Sequence, residues 1–233
     1  MSQIQPLVFD IETIGRSFES LDAASQEYIK KYTESEEELS EAKDHMSFSP
    51  LTGEIVAIGI LNPCTMKGAV YTRVPHGVLL HGGEIYPGIT MEVGDEKAIL
   101  EKFWVAAEHY NTFITFNGRA FDAPFLNIRS AILGLRPTKN LMSNRYLSSQ
   151  SYSANHIDLL DQLTYYGAVR KKFTLHFWCK AFGIKSPKED GVTGDDVGRL
   201  YGEGKYRDIA TYNVGDLIAT KELYEQWEKY LNI

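Results

Sequence analysis

Leu7-Val8-Phe9-Asp10-Ile11-Glu12 is the stretch on which the reading of this chain turns. Residues 4–9 form a short apolar run that ends in an acid, the pattern of a strand buried in the middle of a sheet. In a strand, residues i and i+2 point to the same face, so Asp10 and Glu12 project together from the strand's end. Carboxylates held so close repel each other unless a cation neutralises them. On its own the pair is only suggestive, because two acids at a strand end also arise by chance.

Working outward, residues 21–42 read as a largely solvated helix, with the acids Glu34, Glu36, Glu37, Glu38 and Glu41 gathered on it. Two strands follow over 54–61 and 69–73, with a turn near Asn62-Pro63. Residues 74–93 are rich in Gly and Pro and read as a loop or irregular hairpin. Asp95 is a helix N-cap, and Ile99, Leu100, Phe103, Trp104 and Ala107 after it are spaced as one buried helical stripe. A second buried strand over 112–116 runs into the polar loop Asn117-Gly118-Arg119 and a helix over 123–133. A short strand over 155–158 precedes helices over 175–182, 195–201 and 206–230. The fold class is therefore α/β, with residues 1–233 as one domain.

Composition sets the outer limits. The chain has 233 residues, 43% hydrophobic and 24% charged, which suits a globular domain and is short for two. No apolar run approaches the ~20 residues of a membrane span, and residues 1–10 lack the pattern of a secretory signal. Cys64 and Cys179 are too few for a disulfide framework or a four-cysteine zinc site. A cytoplasmic location without membrane association is expected. The net charge of −7 argues against coating duplex DNA, where a basic footprint is the rule. It leaves room for an enzyme that grips one strand end, since metal ions bound by acids reverse the local charge.

Two further segments carry acids in suggestive places. Phe116-Asn117-Gly118-Arg119-Ala120-Phe121-Asp122 links a strand to a helix, which puts Asp122 near a helix start. There a plain dipole-answering acid is the simplest account, but it does not explain the polar loop between two phenylalanines. Tyr212-Asn213-Val214-Gly215-Asp216 lies in the last helix, with Tyr212 and Asp216 one turn apart on one face. Gly215 costs that helix ~1 kcal/mol relative to Ala and implies the close approach of another segment. Together the segments supply Asp10, Glu12, Asp122, Asp216 and a tyrosine. Hard cations such as Mg²⁺ or Mn²⁺ prefer carboxylate oxygens, and a pair of them cleaves phosphodiesters.

In these motifs the chain resembles the DEDD superfamily of 3′–5′ exonucleases, in the subtype with tyrosine in the third motif (DEDDy). More closely, it is similar to stand-alone exonucleases related to the proofreading domain of family B DNA polymerases. The likeness runs through Phe9-Asp10-Ile11-Glu12-Thr13, the Asn117 to Asp122 motif, the segment around His156-Ile157-Asp158, and Tyr212 to Asp216. It implies a ribonuclease H-like fold with a central mixed β-sheet flanked by helices. It implies two divalent ions, Mg²⁺ or Mn²⁺, held by Asp10, Glu12, Asp122 and Asp216, with one ion at Asp10 and Asp122 and a second between Asp10 and Glu12. Tyr212 would orient the attacking water, and Thr13, Asn117 and Phe121 would lie beside the substrate. Asp158 would support the site. Asn213, where the family often has cysteine, would not be a ligand.

The expected reaction is hydrolysis at the 3′ end of single-stranded nucleic acid, DNA favoured over RNA, releasing nucleoside 5′-monophosphates. The rivals are an exoribonuclease of the same fold and a silent module that binds nucleic acid or protein. A polymerase or repair partner is not readable from the sequence. Residues 15–50, inserted between the first motif and the next strand, have no counterpart with a known role. The scattered histidines, and the lack of a nucleophile elbow or phosphate loop, argue against the other common hydrolase classes.

Overall fold

The computed structural model describes residues 5–191 and 193–232. Ile4, the expected start of the first strand, lies outside them. Among the described residues, seven strands form one mixed sheet. They are β1 (Pro6–Gly15), β2 (Gly53–Asn62), β3 (Lys67–Arg73), β4 (Gly83–Tyr86), β5 (Ile89–Gly94), β6 (Thr112–Thr115) and β7 (Asn155–Asp158). Their spatial order is β4-β5-β3-β2-β1-β6-β7. Strands β1, β2 and β3 pair antiparallel, whereas β6 and β7 extend the sheet from β1 in parallel.

The structure revises the sequence reading at three places. First, β1 does not stop before its acids: its pairing with β2 continues to Gly15, with a register shift between Glu12 and Thr13. Its pairing with β6, however, ends at Val8 and Ile114, so Asp10 and Glu12 lie on a strand whose other edge is open. Second, the expected helix over 21–42 is two, α1 (Ala23–Lys31) and α2 (Glu36–Asp44). Ser35 breaks the run by capping α2, its side chain accepting from the Glu38 N–H. Third, the choice between loop and irregular hairpin is narrowed: the later part of the segment is the expected hairpin, β4–β5, and it joins the sheet because Ile89 and Met91 alternate into the core.

The two faces of the sheet are covered differently. Leu7, Phe9 and Ile11 point towards α3 (Glu96–Ala107) and α4 (Asp122–Ile132), packing with Phe103, Trp104 and Phe125. Val8, and with it the side on which Asp10 and Glu12 lie, faces the long helix α8 (Tyr206–Tyr230). That helix crosses β1, β2 and β3 and buries Ile209, Val214, Leu217, Leu223 and Trp227. Helices α5 (Leu159–Leu163), α6 (Leu175–Phe182) and α7 (Val197–Gly202) complete this layer. Among the described residues no helix is long and apolar enough to cross a membrane.

Candidate active site

The site grows from the open edge of β1. Past Val8 the strand has no neighbour on the β6 side, and the free Ile11 N–H donates to Asp122 Oδ1 at 3.0 Å. A carboxylate from the first residue of α4 thus takes the place of a ladder partner and is drawn towards Asp10 and Glu12. The loop that delivers Asp122 is itself held by Asp158. Its carboxylate accepts from the N–H groups of Asn117 (2.8 Å), Arg119 (2.9 Å) and its own helix at Leu160 (3.0 Å). Asn117 adopts a left-handed φ of 63°, which an asparagine tolerates better than most residues. Asp158 therefore has the supporting role the motif implied.

Beneath that loop, His156 is fully buried and neutral, its pKa pushed down to about 4 by burial. Leu141 C=O can only accept, so Nδ1 carries the proton and Nε2 accepts from the Thr115 hydroxyl at 2.8 Å.

Helix α8 supplies the rest. Tyr212 and Asp216 share a face, and both line the acid pocket. Burial, then the charges of Asp216, Glu12 and Asp10, drive the phenol's pKa well above its ordinary value, so it stays protonated. The close approach anticipated at Gly215 is real: a Cβ there would sit 3.2 Å from the Cβ of Pro187.

Asn213 is the residue whose part the sequence reading missed. It is fully buried, and its Nδ2 donates to Asp10 Oδ2 at 2.8 Å and, more weakly, to Glu12 Oε1 at 3.5 Å. Through these bonds it ties both β1 acids to α8. Its Oδ1 lies against Gly59 of β2, where any Cβ would come within 1.8 Å, and has no hydrogen-bond partner among the described residues. A signal was present in the sequence: Ile209, Asn213 and Leu217 fall four apart, a polar residue in an otherwise buried stripe.

Carboxylate oxygens of Asp10, Glu12 and Asp216 lie within 4.8 Å of one another. Asp122 lines the same pocket, together with Phe116, Asn117, Phe121, Leu175 and Tyr212. The grouping differs from the expected one, because Asp216 joins the β1 pair while Asp122 faces it from α4. Burial, followed by neighbouring carboxylates, raises Asp10 and Glu12 well above the usual range. Burial pushes Asp122 and Asp216 up to about 7. Among the described residues no lysine, arginine or histidine lines this pocket; Lys188, which lowers Asp216 somewhat, lies outside its lining. All of the available donors are oxygens. A hard divalent cation fits such a set, because it removes the mutual repulsion that burial intensifies.

Asn117 and Phe121, two of the three residues expected beside a substrate, line the acid pocket. Thr13 lines the neighbouring cavity, and its hydroxyl donates to Ser47 C=O at 2.7 Å.

A family described as a predicted 3′–5′ exonuclease related to the exonuclease domain of PolB matches over residues 85–231, a span that holds the second and third motifs. Among solved structures, the family B DNA polymerase of the hyperthermophilic archaeon Pyrobaculum calidifontis superposes with a TM-score of 0.62 at 16% sequence identity. The likeness covers 97% of this chain and 25% of the polymerase, so the chain spans about a quarter of that protein. No curated protein matches the chain in sequence. The fold is α/β and ribonuclease H-like, and the chain belongs to the family of predicted 3′–5′ exonucleases related to the exonuclease domain of PolB.

Proposed function

We propose that this chain removes nucleotides from the 3′ end of single-stranded nucleic acid, DNA in preference to RNA, by hydrolysis that releases nucleoside 5′-monophosphates. The observation that carries the reading is the convergence of Asp10, Glu12, Asp122 and Asp216 from β1, α4 and α8 into one pocket without a basic side chain in its lining. Divalent ions, two of them and either Mg²⁺ or Mn²⁺, supply activation of a water and stabilisation of the leaving 3′ oxygen when bound. The four carboxylates hold them. Tyr212, kept protonated, orients the attacking water by hydrogen bonding rather than by taking its proton. Thr13, Asn117 and Phe121 surround the terminal nucleotide, and Asp158 and Asn213 keep the acids in place through the loop and the helix. The 1–233 chain acts as one domain.

The test is a gel assay on 5′-labelled single-stranded DNA and the matching RNA, with Mg²⁺, with Mn²⁺ and with EDTA. A metal-dependent ladder shortening from the 3′ end, faster on DNA, is the expected result. Faster shortening of RNA moves the substrate to ribonucleotides and leaves the chemistry intact. Intact substrate in every lane, from protein shown to be folded, overturns the enzymatic reading.

A further inference from the structure

Residues 16–52, between β1 and β2, include both α1 and α2 and end in the 3₁₀ turn His45–Phe48. Beside that turn is a cavity of about 780 Å³, lined by the end of β1 and Arg16 after it, by Lys43, His45 and Phe48 of the insert, by Phe121, and by residues of the 194–199 segment. It shares Ile11, Glu12 and Phe121 with the acid pocket, so the two are continuous. We propose that the inserted segment is the outer wall of the strand groove, with Phe48 as a stacking platform for a base upstream of the cleaved nucleotide and Lys43 and Arg16 as phosphate contacts. The proposal rests on the exonuclease reading above and names the part of the site that selects a single strand.

The turn is fixed while its ring stays in solvent. Met46 is buried beneath it, and Thr52 Oγ1 donates to Met46 C=O at 2.8 Å. Thr13 Oγ1 ties Ser47, and Arg129 Nη1 reaches Pro50 C=O at 3.3 Å. On this anchored base Phe48 remains 58% exposed. Its ring meets that of Phe121 at 6.4 Å, near edge-to-face, and Phe121 in turn packs on the buried Phe125 at 5.4 Å. His45 stands on the other side of Phe48, 5.6 Å between centroids. An aromatic row thus runs from the core out along the cavity wall. Bases stack on such rings whatever their sequence, provided their faces are unpaired.

The cations beside the row are loosely committed. Lys43 Nζ is 3.8 Å from Glu19 and Arg16 Nε is 3.9 Å from Glu54, and both side chains are about two-fifths exposed. Arg199 is different, engaged by Asp196 and Glu203 on its own side. Asp44 and Asp195 also border the cavity, which leaves Lys43 and Arg16 to receive phosphates and disfavours a second strand. A chain with a net charge of −7 can therefore hold one strand without a broad basic surface.

The experiment measures binding and cleavage separately on the full chain. Anisotropy of a 5′-fluorescein oligothymidine in EDTA reads binding, and the gel assay with Mn²⁺ reads turnover. Phe48→Ala should weaken binding about tenfold and Phe48→Tyr should restore it. Lys43→Ala should lower the slope of log affinity against log salt by about 0.7, one phosphate's worth for a single strand. Across a titration of strand concentration, Phe48→Ala should raise KM, with the rate at saturation unchanged. Equal affinity for wild type and Phe48→Ala, or no binding by wild type in EDTA, overturns the groove. Cleavage by all variants with equal KM also overturns it while leaving the nuclease standing. Binding that depends on Phe48 in a protein that never cuts sustains the groove and defeats the exonuclease reading.

Discussion

Two groups of carboxylates in this molecule, buried or half-buried, meet the same electrostatic problem with opposite solutions. Glu96, between α3 and α4, faces Arg129 in a two-pronged pair, Nε to Oε1 at 2.8 Å and Nη2 to Oε2 at 2.6 Å, and also accepts the Ile55 N–H at 2.9 Å. Its charge is neutralised from within. Among the described residues, the set of Asp10, Glu12, Asp122 and Asp216, between β1, α4 and α8, accepts from neutral groups, the Asn213 amide and the Ile11 N–H. The first set is scaffold, complete as folded. The second has no such counter-charge lining its pocket among the described residues, and burial raises all four acids.

The largest effects should separate the two sets. Asp10→Asn and Asp216→Asn each remove an acid from a repelling group, so cleavage should fall by roughly a thousandfold or more. Melting in EDTA should not fall, because the lost charge was repelled by its neighbours. Glu96→Ala leaves Arg129 buried and unpaired, which costs about 3–5 kcal/mol of stability. The folded fraction of that variant should still cut. Denaturant titration beside the gel assay decides between them. An unstable Asp216→Asn together with a stable, inactive Glu96→Ala would invert the comparison.

Tyr212→Phe comes next. It removes a hydroxyl and no charge, so kcat should drop by about a hundredfold or less while divalent affinity holds. Loss of metal binding instead would make Tyr212 a structural partner of Asp216 rather than a group that positions water.

The sequence disclosed the second set more fully than the first. Asp10 and Glu12, Asp122, and Tyr212 with Asp216 sit in short local patterns, where strand alternation and helical spacing already dictate who shares a face. The chain order of strands and helices was legible for the same reason. Pairing between distant segments was not. Glu96 and Arg129 are 33 residues apart, in two helices whose contact only the fold creates. The extension of β1 through its acids depends on β2, and the strand at Ile89 to Gly94 depends on an edge of β3 that no local propensity reveals. Asn213 fell between: its place in a buried stripe was readable, but Gly59, the residue that makes room for it, is far away in sequence.

That last pair offers a finer cut through the comparison. Asn213→Leu keeps the branched shape, with bulkier ends, and removes the donor that orients Asp10 and Glu12, so Mn²⁺ affinity by calorimetry should weaken about tenfold. Gly59→Ala should do much the same from the other side, because its methyl group displaces the Asn213 side chain. Unchanged Mn²⁺ affinity in both would mean that the acids are held by β1 alone.

The smallest effect is the pH dependence of stability, and its sign is fixed by the direction of the shifts. Asp122 and Asp216 titrate near 7 when folded and near the ordinary 3.8 when unfolded. Between those values the folded chain binds more protons, so stability falls as pH rises towards 7 and levels off above it. His156 pulls the other way: folded at about 4 and ordinarily at 6.5, it adds stability as pH climbs to 6.5. Its contribution is the same with and without metal, so it cancels when melting in EDTA is subtracted from melting in Mn²⁺. Bound cations replace the protons shared by the acids, and they compete best where those protons have left. The Mn²⁺-minus-EDTA difference in melting temperature should therefore grow by a few degrees from pH 6 to pH 8. Glu96→Ala should show the same growth from a lower baseline, whereas Asp216→Asn should lose most of it. A difference that is flat with pH would mean that the four acids are not where the cation binds.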